Sequence, residues 1–65
     1  MTIEESWRLK PGDTVKILSG SYKGMYGTIP WIDRIYDDEA IPVQIDGIHK
    51  GQWYSQFKYQ DLELI

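Results

Sequence analysis

The chain has 65 residues, no cysteine, a formal net charge of −3 and a pI near 4.8. A chain this short buries only about 60% of its unfolded surface, so we expect one small domain without a disulfide or thiolate metal site. No run approaches the ~20 apolar residues of a membrane helix, and the acidic N-terminus does not resemble a signal peptide, so a cytoplasmic location is expected.

Residues 1–10 are interpreted as a lead-in, and residues 11–65 as the domain proper. Trp7 and Leu9 are expected to pack back on the core as an apolar lid. The stretch Pro11–Gly12–Asp13 predicts a turn, because proline fixes φ and glycine accepts positive φ.

The stretch from 15 to 29 reads VKILSGSYKGMYGTI, in which glycines separate two apolar, β-branched runs. Such a pattern predicts a strand, a tight turn and a second strand. The first predicted strand covers about 13–18 and the second about 25–33. Pro30 cannot donate a ladder hydrogen bond, so it predicts an edge, a bend or a bulge there.

The acidic segment 33–40 is interpreted as a solvated loop, because three consecutive acids repel one another. A third strand is predicted at Ile41–Ile45, where apolar side chains alternate. The Asp46–Gly47 pair that follows is typical of a tight hairpin turn.

The C-terminal part of the chain predicts a fourth strand at about 51–56, with Trp53 and Ser55 facing inward. One helical turn is expected at 57–60, with Phe57 in the core, and a fifth strand at 61–65. Five short strands separated by turns predict an all-β fold, a small and nearly closed five-stranded barrel. A helical turn before a short last strand resembles the SH3-like arrangement.

The segment 15–29 also resembles the KOW motif. The match is carried by an apolar pair, spaced glycines, a Lys–Gly pair and a closing apolar residue, namely Val15, Ile17, Gly20, Lys23, Gly24, Gly27 and Ile29. The resemblance implies an SH3-like fold and a binding role, toward either nucleic acid or protein.

The whole chain resembles a group of small SH3-like proteins of oxygenic photosynthesis: the PsaE subunit of photosystem I, the variable chain of ferredoxin–thioredoxin reductase and the SH3-like subunit of the photosynthetic NDH complex. The shared outline is GDTVKI, GMYGTI, IPVQI and a DLELI tail. The resemblance implies an accessory subunit without a cofactor that docks a partner, at the stromal or cytosolic face of a membrane complex.

Catalysis requires a nucleophile or an acid–base group held by a partner, and the chain offers one histidine and no cysteine. His49 falls in a turn where polar side chains are normally solvated. The acids Asp37, Asp38 and Glu39 lack the oxygen spacing of a calcium loop. We therefore expect no enzyme, no metal, no cofactor and no small-molecule substrate.

Nine aromatic residues are more than a barrel of this size can bury. SH3-like barrels align aromatic side chains from two loops and the helical turn along one groove, which here would use Tyr22, Trp31 or Tyr36, Tyr54 and Tyr59. We therefore predict a protein-docking surface formed by Tyr22, Lys23, Trp31, Tyr36 and Tyr54. The alternative is that these rings only cover the barrel ends.

A second interpretation is a KOW-type module that binds RNA or DNA in translation or transcription. Glycine-rich backbone amides and nearby hydroxyl and basic groups can hold phosphate oxygens. The candidate residues are Lys16, Ser21, Lys23, Arg34 and Lys50. The net negative charge disfavours this interpretation, because phosphate binding usually needs a basic face.

Overall fold

The computed structural model describes residues 1–32 and 40–65. In chain order the elements are helix α1 (Ile3–Ser6), strands β1 (Thr14–Ile17), β2 (Tyr26–Thr28), β3 (Ile41–Ile45) and β4 (Ser55–Phe57), the 3-10 turn η1 (Tyr59–Asp61) and strand β5 (Leu62–Leu64). In these ranges no helix is long and apolar enough to cross a membrane.

The five strands form one antiparallel sheet in the order β4-β3-β2-β1-β5. The sheet curls into a half-barrel, as in small SH3-like barrels, with η1 directly before the last strand. The predicted all-β, SH3-like fold class is therefore confirmed. The five strands that the sequence predicts are present, although most of them are shorter than expected.

The hairpin between β1 and β2 closes on a bulge. The N–H of Gly24 donates to the carbonyl of Ile17 at 2.8 Å, and the N–H of Ile17 donates to the carbonyl of Met25 at 2.8 Å. Gly24 and Met25 therefore both stand opposite Ile17. Gly24 has a φ of +90°, and a glycine with positive φ in this position defines a glycine-type bulge. Such bulges increase the local twist, which suits a curled sheet.

Strand β2 ends at Thr28, so the predicted extent of 25–33 is wrong. The β2–β3 register pairs Thr28 with Gln44, and its continuation would place Pro30 opposite Pro42. Neither proline has an N–H to donate, so the ladder cannot continue at that position. Beyond Thr28 the chain instead bonds toward β1, where the N–H of Ile29 donates to the carbonyl of Asp13 at 2.9 Å.

The core lies inside the curl of the sheet and consists of aliphatic side chains with 4% exposure or less. They are Leu9, Val15, Ile17, Ile29, Ile41, Val43, Ile45 and Leu62. Phe57 and Leu64 are half-buried and pack against this cluster. The core is thus built from the alternating apolar positions that predicted the strands, while most aromatic rings stay outside it.

Gly27 lies on the inner side of β2, where β2 and β3 approach closely. A Cβ added there would lie 2.5 Å from Cγ1 of Val43 and 2.7 Å from the carbonyl oxygen of Gln44. Real Cβ atoms do not reach such distances, so this glycine is needed for space and not for a special φ.

The lead-in contains the short helix α1, whose N-terminus is closed by a capping box. The Thr2 hydroxyl accepts from the N–H of Glu5, and the Glu5 carboxylate accepts from the N–H of Thr2 at 2.8 Å. The prediction that Trp7 and Leu9 pack back on the core is correct for Leu9 alone. Leu9 is fully buried, but Trp7 is 57% exposed and does not act as a lid.

The fourth strand begins later than predicted, at Ser55 and not at residue 51. The prediction of a tight hairpin at Asp46–Gly47 is also wrong, because β4 does not begin directly after these two residues. Gly47 does turn with φ of +82°, but the connection continues to residue 54. Trp53 falls in this connection and is 76% exposed, so its predicted inward orientation is wrong.

Candidate functional site

The most prominent exposed feature is a pair of aromatic rings from distant parts of the chain. Trp31 follows β2 and Tyr54 directly precedes β4, and their ring centroids lie 5.6 Å apart at an interplanar angle of 81°. This edge-to-face geometry is the favourable one for aromatic rings. Trp31 is 39% exposed and Tyr54 40% exposed, so both rings stay accessible while they contact each other.

A groove of about 590 Å³ lies beside this pair. Its lining consists of Pro30, Trp31, Gln44, Gly51, Gln52 and Tyr54, and it is called the aromatic groove below. The side-chain amide of Gln44 donates to the carbonyl of Gly51 at 2.6 Å, which holds the β3–β4 connection against the sheet. Trp53 extends the surface, because it lines an adjoining pocket with Gln52 and Tyr54.

His49 holds the other side of the same connection. Its Nδ1 accepts from the N–H of Ile45 at 2.9 Å, and its Nε2 lies 3.3 Å from Oγ of Ser55. Since Nδ1 accepts, the neutral ring carries its proton on Nε2 and donates it to Ser55. The expectation of a simply solvated histidine is therefore wrong, and the sequence gives no signal for this bridge.

Several backbone amides in the hairpin loop between β1 and β2 donate hydrogen bonds to carbonyls of the same hairpin. The N–H groups of Lys23, Gly24 and Met25 donate to the carbonyls of Gly20, Ile17 and Tyr22, respectively, at 2.8–3.2 Å. These three donors therefore do not face a phosphate, as the nucleic-acid interpretation requires of the loop amides.

The two halves of the predicted docking surface lie at opposite ends of β2. Tyr22 and Lys23 precede this strand and Trp31 follows it, so only Trp31 and Tyr54 come together. Tyr22 is half-buried and packs against the core, as does Tyr59, while Lys23 is exposed. Tyr36 lies outside the described residues.

The predicted basic set is spread over several elements. Lys16 lies on the outer face of β1 between Tyr26 of β2 and Glu63 of β5, with Nζ 5.9 Å from the Tyr26 ring centroid. Its charge therefore has an aromatic and an acidic neighbour. Ser21 is exposed in the hairpin loop, Lys50 is exposed in the β3–β4 connection, and Arg34 lies outside the described residues.

A metal site would require several acidic or histidine side chains to lie close together. Among residues 1–32 and 40–65, no group of three or more His, Asp or Glu side chains is arranged to hold a metal ion. The acids Asp37, Asp38 and Glu39 lie outside those ranges.

Comparison with known proteins gives one finding. Residues 11–29, which include the β1–β2 hairpin, match the family model of the KOW motif. No curated protein and no solved structure matches the chain, so the resemblance to the small photosynthetic subunits is not confirmed. A KOW motif in a curled antiparallel sheet indicates a small binding module, of a kind typical of ribosomal and transcription proteins.

Proposed function

We propose that this chain is a non-catalytic docking module for a protein partner, with the aromatic groove as its contact surface. The observation that carries the proposal is the exposed, edge-to-face pair of Trp31 and Tyr54 beside the strongly exposed Trp53. Exposed Trp and Tyr side chains supply large, rigid contact area with a polar tip, and they dominate binding energy at protein interfaces.

The β3–β4 connection that lines the groove is also hydrogen-bonded to the sheet. Gln44 and His49 tie the β3–β4 connection to the sheet on both sides, through bonds of 2.6 and 2.9 Å. A surface that is already ordered loses less conformational entropy on binding, which favours affinity. An accessory role in a larger cytoplasmic or membrane-associated complex, such as one for electron transport, is part of this proposal.

The chain offers a matched pair of tyrosines for the test. Tyr54 and Tyr26 are 40% and 45% exposed, but only Tyr54 lines the aromatic groove. Proteins captured from the native cell lysate by the wild-type chain are identified by mass spectrometry. We expect Tyr54→Ala to weaken their capture about tenfold or more, and Tyr26→Ala to leave it unchanged. Equal capture by both variants would contradict the proposal, provided that thermal unfolding shows both to be folded.

The second candidate function is RNA or DNA binding, favoured by the KOW match at 11–29. The net charge of −3 and the internal hydrogen bonds of the hairpin loop disfavour it. We expect weak retention on immobilised RNA at physiological salt. Strong retention that falls steeply with added salt and is lost in Lys23→Ala would establish this second function instead.

A further inference from the structure

The two edges of the sheet differ in how they are covered. At the β5 edge, α1 packs against η1, and the Met1 amine donates to the carbonyls of Tyr59 and Leu62. At the opposite edge, β4 pairs with β3 alone among residues 1–32 and 40–65. Among the described residues, no backbone hydrogen bond is made on the far side of β4.

The direction of the β4 backbone follows from the register. The N–H of Asp46 donates to the carbonyl of Tyr26, so Asp46, and by alternation Gln44 and Pro42, turn their backbone groups toward β2. Ile41 and Val43, which alternate with Pro42 and Gln44 along the strand, therefore turn their backbone groups toward β4.

Ile41 pairs with Phe57, Val43 pairs with Ser55, and Pro42 stands opposite Gln56. Hydrogen bonds to β3 are therefore made by Ser55 and Phe57, and the N–H and C=O of Gln56 point away from the sheet. Such an edge is the template that an extended peptide uses to add a strand.

The charge around β4 indicates what kind of segment fits. Between Asp46 and Asp61 the stretch 47–60 contains Lys50 and Lys58 and no acidic residue, in a chain whose net charge is −3. Lys58 directly follows β4 and is exposed, as is Lys50. An acidic segment would therefore find complementary charge at this edge, which favours its encounter and its register.

The aromatic groove is lined by Tyr54, the residue directly before β4. Tyr54 lies two residues before Gln56 and so faces the same side of the chain, next to Trp31. Alternate side chains of an added strand would therefore contact Tyr54 and its aromatic neighbours. We propose, as a deepening of the docking function on which it rests, that the partner binds as an extended acidic segment that adds a strand to the outer edge of β4.

Gln56→Pro tests the backbone contact directly. It removes the outward N–H without removing a bond to β3, and proline is tolerated at sheet edges. The matched control Gln56→Ala removes the side chain and keeps the N–H. The probe is a display library of random linear peptides of about ten residues, selected on the wild-type chain.

We expect the selected peptides to be rich in Asp and Glu alternating with apolar residues. Their affinity for Gln56→Pro should be about tenfold or more lower than for the wild type. Their affinity for Gln56→Ala should stay within about twofold of the wild-type value. In the free protein the Gln56 amide should exchange with solvent faster than those of Ser55 and Phe57.

Peptides that bind Gln56→Pro as well as the wild type but fail on Tyr54→Ala would overturn strand addition and leave the docking function standing. If no peptide is selected and the chain is retained on RNA in a salt-dependent way, both strand addition and the docking function would be overturned. A Gln56 amide that is already protected, in a chain that sediments as a dimer, would identify a second copy as the occupant and also overturn the proposal. As a control, thermal unfolding of Gln56→Pro is measured to test whether this variant is folded.

Discussion

The indole of Trp31 meets the ring of Tyr54 edge to face, with 5.6 Å between centroids and 81° between planes. Trp31 stands beyond the end of β2, where two prolines stop the ladder, and Tyr54 stands just before β4. The contact therefore joins the chain segment before β3 to the segment after it. It forms one wall of the aromatic groove.

The coupling between these rings can be measured as a free energy of unfolding. We expect a double-mutant cycle of Trp31→Ala and Tyr54→Ala to give a coupling of about 0.5–1 kcal/mol, because such pairs contribute about 0.5–1.5 kcal/mol and both rings are partly exposed. Chemical denaturation of the four variants gives the value. Additive effects would show that the rings do not support each other, while loss of cooperative unfolding in either single variant would show a structural role.

Gly27→Ala is expected to destabilise the domain by about 1–3 kcal/mol, because its Cβ would overlap Val43 and the backbone of Gln44. The control is Gly20→Ala, where a Cβ meets open space and only the positive φ of +83° costs stability, about 1 kcal/mol. Denaturant midpoints compare the two. Compared with Val43→Ala alone, which has the cost of its own cavity, the double variant Gly27→Ala/Val43→Ala should not recover stability, since the Gln44 oxygen remains in place. Recovery would show that only the side chain opposes the methyl group.

The fold could be predicted from local signals because alternation and turn glycines act over few residues. The alternation at 41–45 predicts strand β3 with its correct bounds, Ile41–Ile45, since the inward positions are all aliphatic. The sequence does not predict the end of β2, because that end depends on which residue would stand opposite Pro30. That partner is Pro42, and it is set by the register between two strands that the sequence does not state.

The site was only partly predictable for a similar reason. The sequence predicts Trp31 and Tyr54 as exposed aromatic candidates, but their contact requires the β3–β4 connection to fold back over Gln44. It predicts Trp53 inward on β4, but that strand begins two residues later, at Ser55. The outward direction of the Gln56 backbone follows from strand order and register, which no local pattern contains.

His49 is expected to stabilise the β3–β4 connection through its Nδ1 acceptor. His49→Ala leaves the N–H of Ile45 without that partner, which should cost about 1–2 kcal/mol of unfolding free energy and speed exchange of the Ile45 amide. His49→Asn places an amide oxygen near the position of Nδ1 and should recover part of the loss. Equal losses in both variants would indicate that ring packing, not the hydrogen bond, stabilises the connection.

The capping box of α1 predicts a local response to acid. Hydrogen bonds from Thr2, the backbone N–H foremost, lower the pKa of Glu5 below its ordinary value of 4.5. A carboxyl whose pKa is lower in the folded state stabilises that state above the unfolded pKa, and the effect is lost as the pH falls through the folded pKa. The helix start should therefore stay capped at neutral pH and loosen only below pH 4.5.

NMR titration of the Thr2 amide measures this response, with an expected midpoint below 4.5. Glu5→Gln is the matched control, because the glutamine oxygen can still accept from the Thr2 N–H but does not titrate in this range. The variant should keep the capped chemical shift and lose its acid dependence. A wild-type midpoint at or above 4.5 would mean that the carboxylate is not held by Thr2, and that Thr2 caps the helix without its reciprocal partner.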